Sequence, residues 1–124
     1  MLSLIALAAA AQALTCTPIA VDGDTLRCGR ERIRLLAIDA PEMPGHCRRG
    51  RRCVTGDPFA SRDSLAAALR PPFTIRRVGF DHYGRSLAVV SGARGDLSCW
   101  QLRARRVRYR GDWDNLHLVG DQCR

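Results

Sequence analysis

Apolar and polar positions in the first third of the chain follow the pattern of short, half-buried strands. Apolar side chains alternate with arginine over residues 32–38, which places one apolar row on a single face of a strand. Residues 19–26 carry Ile, Val, Thr and Leu around an Asp-Gly-Asp sequence and predict a second strand with a bend. A turn at residues 28–31 joins the two segments, so the pattern predicts a β-hairpin.

Helix signals follow a proline- and glycine-rich stretch. Asp57 before Pro58 is a favourable N-cap and first helical position, and the Ala/Leu-rich run behind them predicts a helix over residues 59–69. The two prolines at 71–72 end that helix. Residues 41–58 contain six prolines and glycines with four arginines, so we expect an irregular surface loop there.

The C-terminal half predicts a second hairpin and a second helix. β-branched runs at 73–79 and 86–90 flank a loop that contains glycine, and Asp96 can cap a helix over residues 97–106. Strands and helices do not alternate along the chain. Four or five strands with two helices therefore predict an α+β fold built on a small antiparallel barrel.

The composition indicates one globular domain with a strong preference for anionic partners. The chain has 124 residues, a formal charge of +8 and a pI near 10.1. All 20 basic residues are arginine, whose planar fork suits bidentate phosphate binding, although a general coding bias toward arginine explains the same excess. Charge alone favours nucleic acid, an anionic membrane or an acidic protein without choosing among them.

The first 13 residues resemble an export signal. They hold no charged side chain and end in Ala11-Gln12-Ala13, a small-x-small cleavage pattern. We therefore predict a signal peptide at 1–13 and a mature domain at 14–124, located in the periplasm or secreted. The apolar run is too short to span a bilayer, so no membrane is expected as a partner of the mature form, and nothing requires more than a monomer.

An even number of cysteines behind an export signal favours a disulfide framework. We favour sequential pairing, although fifteen pairings are possible for six cysteines. A zinc site is the alternative, but the sequence has no Cys-x-x-Cys and its three histidines, His46, His82 and His117, are scattered. The predicted pairs are Cys16 with Cys28, Cys47 with Cys53 and Cys99 with Cys123.

Five polar residues of the two hairpins form a candidate catalytic set. Pairing within the first hairpin brings Asp24 near Asp39, which offers Ca²⁺ or Mg²⁺ two hard oxygen ligands. Glu42 follows closely and could accept a proton from water. Arg34 and Arg85 could clamp a phosphate and stabilise charge in the transition state. Each residue taken alone is more often a turn, a strand end or a solvated charge, and only their combination favours a catalytic site.

Two segments that contain this set resemble a known family. VDGDTLRCGRERIRLLAIDAPE (21–42) and FDHYGRSLAVV (80–90) closely resemble the signature regions of the staphylococcal nuclease family. The resemblance implies a small five-stranded antiparallel OB-type β-barrel with two to three helices, and a secreted, calcium-dependent nuclease. The alternative is a non-catalytic basic OB-type module that binds nucleic acid or protein; because such modules generally lose a site residue, the complete set favours the enzyme.

The same resemblance assigns roles to single residues. It implies that Asp24, Asp39 and the carbonyl of Ala40 bind Ca²⁺, with Asp22 behind them. Glu42 corresponds to the general base or water-positioning carboxylate, and the remaining two members, Arg34 and Arg85, correspond to the phosphate-contacting arginines.

The activity implied is hydrolysis of DNA and/or RNA by metal-assisted attack of water on the backbone phosphate, which leaves 3′-phosphate ends. A tyrosine often packs on the nucleotide in this family, and Tyr83 or Tyr109 could take that part.

The chain departs from the family pattern at four places. Ala40 stands where a hydroxyl residue is common, and residues 44–53 replace the usual loop beside the site with a cysteine-bounded, arginine-rich one. Arg105 lies where glycine is frequent, and the C-terminal third is short for a final helix. We expect the loop at residues 44–53 to alter substrate binding and calcium affinity.

Overall fold

The computed structural model describes residues 10–123, and these residues form nine strands and three helices. The strands are β1 (Gln12–Leu14), β2 (Ile19–Ala20), β3 (Thr25–Cys28), β4 (Glu31–Leu35), β5 (Ile38–Asp39), β6 (Phe73–Phe80), β7 (Ser86–Gly92), β8 (Gly95–Asp96) and β9 (Arg108–Tyr109). The helices are α1 (Pro58–Ala67), α2 (Leu97–Arg103) and α3 (Leu118–Gln122), and two short 3₁₀ turns, Gly111–Trp113 and Asn115–His117, precede α3.

The fold is α+β and its main sheet is mixed. Six strands run in the order β1-β6-β7-β4-β3-β2, β8 pairs with β7, and β5 pairs with β9 in a separate two-stranded sheet. The sheet curls into a half-barrel that is not closed. The expected five antiparallel strands are therefore wrong in number and direction. β4 and β7 are parallel because the long connection through α1 and β6 returns the chain to the same end of the sheet.

The predicted bent strand at 19–26 is instead a tight hairpin. Ile19 pairs with Arg27 and Ala20 with Leu26, so β2 and β3 face each other across the Asp-Gly-Asp sequence. The Val21 N–H donates to the Thr25 carbonyl over 2.9 Å and closes the turn. Short polar side chains that bond their own backbone favour such turns, and this preference prevails over the β-branched residues on either side.

Helix α1 begins as the sequence predicts and ends two residues early. The Asp57 carboxylate accepts hydrogen bonds from the backbone N–H groups of Phe59 and Ala60, and Pro58 follows the cap. Leu65 on the inner face of α1 is fully buried against the sheet, where it meets Leu26 and Ile33 in the main core. The helix therefore packs where its apolar stripe predicts.

Helix α2 is capped by Asp96 as expected, but it ends at Arg103 rather than near Arg106. Arg105 has φ 56°, in the left-handed region, and its N–H donates to the Leu102 carbonyl while the Arg106 N–H donates to the Gln101 carbonyl. This pair of bonds is a Schellman ending, in which glycine is preferred at the left-handed position. Arg105 therefore holds a backbone conformation that favours glycine.

All six cysteines are bridged in the predicted pairs. Cys16–Cys28, Cys47–Cys53 and Cys99–Cys123 have Cα–Cα separations of 5.6, 6.1 and 5.1 Å, within the normal range for disulfides. The first bridge ties the segment before β2 to the end of β3. The last ties α2 to the end of α3, a short helix that the C-terminal third does form.

The predicted export segment lies largely outside the described residues, since residues 1–9 are not among them. Gln12 and Ala13, its last two residues, lie in β1 and pair with Ile75 and Thr74 of β6. Cleavage after Ala13 would thus leave only Leu14 of this strand. Within residues 10–123, no helix combines the length and the hydropathy needed to cross a membrane.

Candidate active site

An open cleft of about 810 Å³ contains most of the predicted site residues. It lies between the β3–β4 hairpin, the hairpin loop before β7 and the loop that follows β5. Arginines and carboxylates dominate its walls, with Trp113 at one side. The predicted residues that line it are Asp22, Asp24, Arg34, Glu42, Tyr83 and Arg85.

The Asp22–Asp24 turn is held in place by helices α1 and α2. The fully buried Gln101 donates from Nε2 to the carbonyls of Gly23 and Ser61, 2.8 Å each. A Cβ on Gly23 would overlap the Ser61 hydroxyl and come within 2.9 Å of the Ala40 Cβ. Only glycine therefore lets the turn approach α1 this closely, and that approach positions both aspartates at the cleft.

Arg34 lies between the two predicted metal-binding carboxylates. Its Nη1 is 2.8 Å from Asp24 Oδ2 and its Nη2 is 3.6 Å from Asp39 Oδ1. Nη1 also donates to the Ile38 carbonyl over 2.9 Å. Register explains the first contact, because Thr25 faces Arg34 in the hairpin and so sets Asp24 beside it. The predicted proximity of the two carboxylates is thus realised around one guanidinium.

Ala40 is also part of this network, through its amide. The Ala40 N–H donates to Asp24 Oδ2 over 2.7 Å, and the residue is 3% exposed. Thr25 donates its hydroxyl to the other Asp24 oxygen over 3.0 Å. Asp24 and Asp39 therefore lie in one buried network around Arg34, to which Ala40 contributes an N–H donor.

Asp22 supports this region from the turn. Its Oδ1 accepts the Asp24 N–H over 3.0 Å. Burial and the nearby Asp24 carboxylate raise the pKa of Asp22 to about 7, and the positive charge of Arg34 only partly opposes this rise. Two adjacent carboxyl groups, one buried and one half-buried, resist ionising together, and a cation between them would relieve that repulsion.

Asp39 is the most enclosed acid of the set, with 2% of its surface exposed. Besides Arg34, it lies 3.3 Å from Arg51 Nη2 and 3.7 Å from Arg110 Nη1. Its position follows from the β5–β9 pairing, in which Asp39 faces Arg108. Asp39 therefore lies beneath the cleft rather than on its surface, under three positively charged side chains.

Glu42 reaches the cleft with about a quarter of its side chain exposed. Its Oε1 accepts a hydrogen bond from Arg51 Nη1 over 2.9 Å. Arg51 therefore joins Glu42 to Asp39, and it belongs to the loop between Cys47 and Cys53. The two carboxylates predicted for chemistry and for metal binding share this one side chain.

Arg85 stands on the opposite wall and is oriented by one carboxylate. Its Nε donates to Asp81 Oδ2 over 2.7 Å, while Asp81 Oδ1 accepts the backbone N–H groups of Tyr83 and Arg85 over 2.9 Å each. Burial raises the pKa of Asp81, but the bonds from Arg85 and Tyr83 outweigh burial and leave it lowered. Asp81 is therefore a permanent anion that aims the Arg85 guanidinium.

The two candidate tyrosines occupy different places. Tyr83 lines the cleft, with the guanidinium of Arg48 4.6 Å and that of Arg85 5.4 Å from its ring centre. Tyr109 lies on β9, outside the residues that line the cleft, and donates its hydroxyl to Asp114 over 2.7 Å. That bond raises the pKa of Tyr109 to about 12. Of the two, only Tyr83 is placed to meet a ligand in the cleft.

The cleft residues that sequence reasoning missed include Asp81, Arg51 and Trp113. Asp81 was detectable, because an acid four residues before an arginine in a turn commonly pairs with it. Arg51 and Trp113 carried no local signal. Trp113 enters from a 3₁₀ turn and lies 5.4 Å from the Arg34 guanidinium, a contact that only the tertiary fold creates.

Among the described residues, the one group that places three acid or sulfur ligand atoms within 4.8 Å of one another is Asp96 with Cys99 and Cys123, and the acids of the cleft form no such group. The two sulfurs form a disulfide, and a disulfide sulfur lacks the thiolate charge that binds zinc. Asp96 caps α2 through the Cys99 N–H over 2.8 Å. The cluster is therefore explained by helix capping and cross-linking.

Compared with models of known protein families the chain matches none, and no curated protein matches it either.

Proposed function

We propose that this protein is an exported calcium-dependent nuclease of the staphylococcal nuclease type that hydrolyses DNA and/or RNA and leaves 3′-phosphate ends. The observation that carries the proposal is the shared cleft: Arg34, Glu42 and Arg85 line one cavity, and Asp24 stands beside them. Asp24 and Arg34 converge through the register and ion pair of one hairpin, whereas Glu42 and Arg85 reach the cleft from two separate loops. A strand of nucleic acid supplies the phosphates that such a basic cleft attracts.

The buried oxygen atoms near Arg34 fit a hard divalent cation. Asp24, Asp39 and the Ala40 carbonyl would hold Ca²⁺, whose usual ligands are carboxylates and backbone carbonyls. When bound, the ion supplies Lewis-acid polarisation of a phosphate oxygen.

The protein groups account for the other parts of the reaction. Glu42 accepts the proton of the attacking water, whose oxygen forms a bond to phosphorus as the bond from phosphorus to the 5′-oxygen breaks. Arg34 and Arg85 contact the phosphate oxygens and stabilise the charge that accumulates on them. The phosphate remains on the 3′-oxygen of the upstream fragment, and the leaving 5′-oxygen of the other fragment takes a proton from solvent water. Tyr83 offers an aromatic face on which an unstacked base can lie.

An OB-type arrangement is the finer description we propose for the sheet. Its first and last strands along the hydrogen-bonded order, β1 and β2, are neighbours in sequence, separated only by residues 15–18. In the uncleaved chain, β1 and β2 counted as one bent strand complete a circular order of five strands, with a gap at Pro18, which has no N–H to donate. Cleavage after Ala13 would leave only Leu14 of β1 in this order. OB-type barrels commonly bind nucleic acid across such a face.

Export and a monomeric state complete the proposal. Three disulfides in 124 residues favour an oxidising compartment, the periplasm or the medium. Nucleic acid as substrate accounts for the net charge of +8.

A non-catalytic module that binds nucleic acid or protein is the second candidate. One observation favours it: Arg34 already neutralises Asp24 and approaches Asp39, so the acids form a satisfied network without a cation. In that case Arg34 would be a structural counter-ion.

Binding and cleavage measured on one substrate separate the two candidates. Denatured DNA and an RNA are titrated with the protein over a range of salt concentrations in chelator, and product ends are then analysed after Ca²⁺ is added. The nuclease predicts salt-sensitive binding followed by calcium-dependent products that carry 3′-phosphates. Salt-sensitive binding with no cleavage would favour the module.

A further inference from the structure

The loop between Cys47 and Cys53 carries four arginines and lies across the cleft. Arg48 places its guanidinium 4.6 Å from the Tyr83 ring on one wall, and Arg51 contacts Glu42 and Asp39 on the other. The loop's other two arginines, Arg49 and Arg52, are exposed. Two of the four thus form specific contacts inside a candidate active site.

The contacts of Arg51 fall on the acids that the proposed reaction uses. Nη1 is 2.9 Å from Glu42 Oε1, and Nη2 is 3.3 and 3.4 Å from the two oxygens of Asp39. A guanidinium so placed occupies the same carboxylate lone pairs that a divalent cation needs. A cation at Asp39 would lie beside three guanidinium charges, and the nearest of them, that of Arg51, would repel it most strongly.

Of the three arginines around Asp39, Arg51 is the one most able to leave. Arg34 is only 10% exposed and also binds the Ile38 carbonyl. Arg110 binds both oxygens of Asp112 over 3.1 and 2.9 Å and lies 4.0 Å from the centre of the Trp113 ring. Arg51 is 39% exposed and its only carboxylate partners among the described residues are the two acids of the site.

The Cys47–Cys53 bridge limits how far Arg51 can move. It closes a loop across a sequence separation of six residues, and its Cα atoms are 6.1 Å apart. A short closed loop has fewer conformations than an open one, so Arg51 loses less entropy when it reaches Asp39. Residues 44–52 are exposed, and packing contributes little to holding the loop there.

We propose that Arg51 is a built-in counter-ion that competes with the divalent cation for Asp39 and Glu42, and that the Cys47–Cys53 bridge maintains this competition. The inference rests on the proposed calcium site. Arg51 therefore sets the calcium concentration at which the site fills, and its guanidinium must move away from Asp39 when the cation binds.

Calcium binding measured by titration calorimetry, without substrate, tests the inference. Arg51→Gln should bind Ca²⁺ about fivefold more tightly than the wild type, because a partly exposed ion pair of roughly 1 kcal/mol no longer opposes binding. Arg52→Gln is the matched control, since it removes the same charge from the same loop and Arg52 makes no ion pair among the described residues. The control should stay within about twofold of the wild type.

A Cys47→Ser/Cys53→Ser variant tests the role of the bridge. It should also bind Ca²⁺ more tightly, and adding Arg51→Gln to it should give a smaller gain than in the bridged protein, because the two changes act on one contact. Fully additive gains would overturn the role of the bridge.

The outcomes separate this inference from the calcium site itself. Equal affinities in Arg51→Gln and Arg52→Gln, or weaker binding in Arg51→Gln, would overturn the competition and leave the site standing. Absence of calcium binding in every variant, with thermal unfolding temperatures unchanged, would overturn the site and the inference together.

Discussion

The two walls of the cleft hold their arginines in different ways. Arg34 is buried, with 8% of the whole residue's surface exposed, and it contacts two acids and a main-chain carbonyl. Arg85, on the hairpin loop, is half-buried and its guanidinium is oriented by Asp81 alone among the described carboxylates. Arg34 is therefore part of a buried network, whereas Arg85 is a half-buried group that the nearby Asp81 orients.

The same residue type can therefore contribute mainly to folding stability at one position and mainly to activity at another. A buried ion pair leaves an uncompensated charge when one partner is removed, whereas an exposed pair exchanges with water. Changes at Arg34 should therefore affect folding and activity together, and changes at Arg85 should affect activity alone.

Arg34→Ala should produce the largest effect. It would leave Asp24 and Asp39 buried without their shared partner, so the free energy of unfolding should fall by about 3–5 kcal/mol. Urea denaturation followed by circular dichroism measures this change. Arg34→Lys keeps the charge but loses the planar fork, and it should recover much of the stability while kcat remains low. Unchanged stability in Arg34→Ala would contradict the buried network.

Arg85→Ala should separate activity from stability. The free energy of unfolding should change by less than about 1 kcal/mol, because the pair with Asp81 is partly exposed. Turnover of denatured DNA should fall by roughly 10²–10³-fold, the usual loss for one stabilising donor in a transition state. Equal turnover in variant and wild type would remove Arg85 from the phosphate clamp.

Gly23→Ala tests the turn that supports the Arg34 wall. The added methyl overlaps Ser61, whose hydroxyl is tied to the Arg106 carbonyl over 2.7 Å, so strain should cost about 1–3 kcal/mol of unfolding free energy. Gly79→Ala is the matched control, since a Cβ there meets nothing within 4 Å. A similar loss in both variants would show that helix α1 does not constrain the turn.

Of the changes considered, lowering the pH should change the stability of the Arg85 wall least. Burial opposes ionisation of Asp81, but its bonds to Arg85 and Tyr83 hold its pKa below the usual 3.8. A lowered folded pKa contributes stability that is present above 3.8 and lost as pH falls through the folded value. The wild type should therefore exceed Asp81→Asn in urea midpoint at about pH 5 and converge with it near about pH 2. A gap that stays constant over this range would contradict the assignment.

Sequence reasoning predicted the local features because local physics decides them. The Asp57 and Asp96 caps, the prolines after α1 and the second hairpin all depend on neighbouring residues, and each appears where expected. The hairpin also set Asp24 beside Arg34, since its register follows from a two-residue turn. The disulfide pairs joined segments that these elements had already brought together.

Features that depend on contacts between distant segments could not be predicted from the sequence. The parallel pairing of β4 with β7 and the open edge between β1 and β2 arise from how the sheet curls. Arg51 reaches Asp39 across the cleft, and no spacing along the chain signals that contact. The prediction of one strand over residues 19–26 is wrong for a local reason. The turn preference of Asp-Gly-Asp prevails over the strand propensity of the residues on either side.

The proposed function requires Glu42 to act in a calcium-dependent cleavage within this cleft. The most direct measurement is cleavage of denatured DNA by the wild type and by Glu42→Gln, with Ca²⁺ and then with excess chelator. Rapid cleavage is expected only from the wild type with Ca²⁺, and a folded Glu42→Gln variant should lose about 10²–10⁴-fold in rate. Cleavage of equal rate by both proteins, or cleavage that persists in chelator, would contradict it.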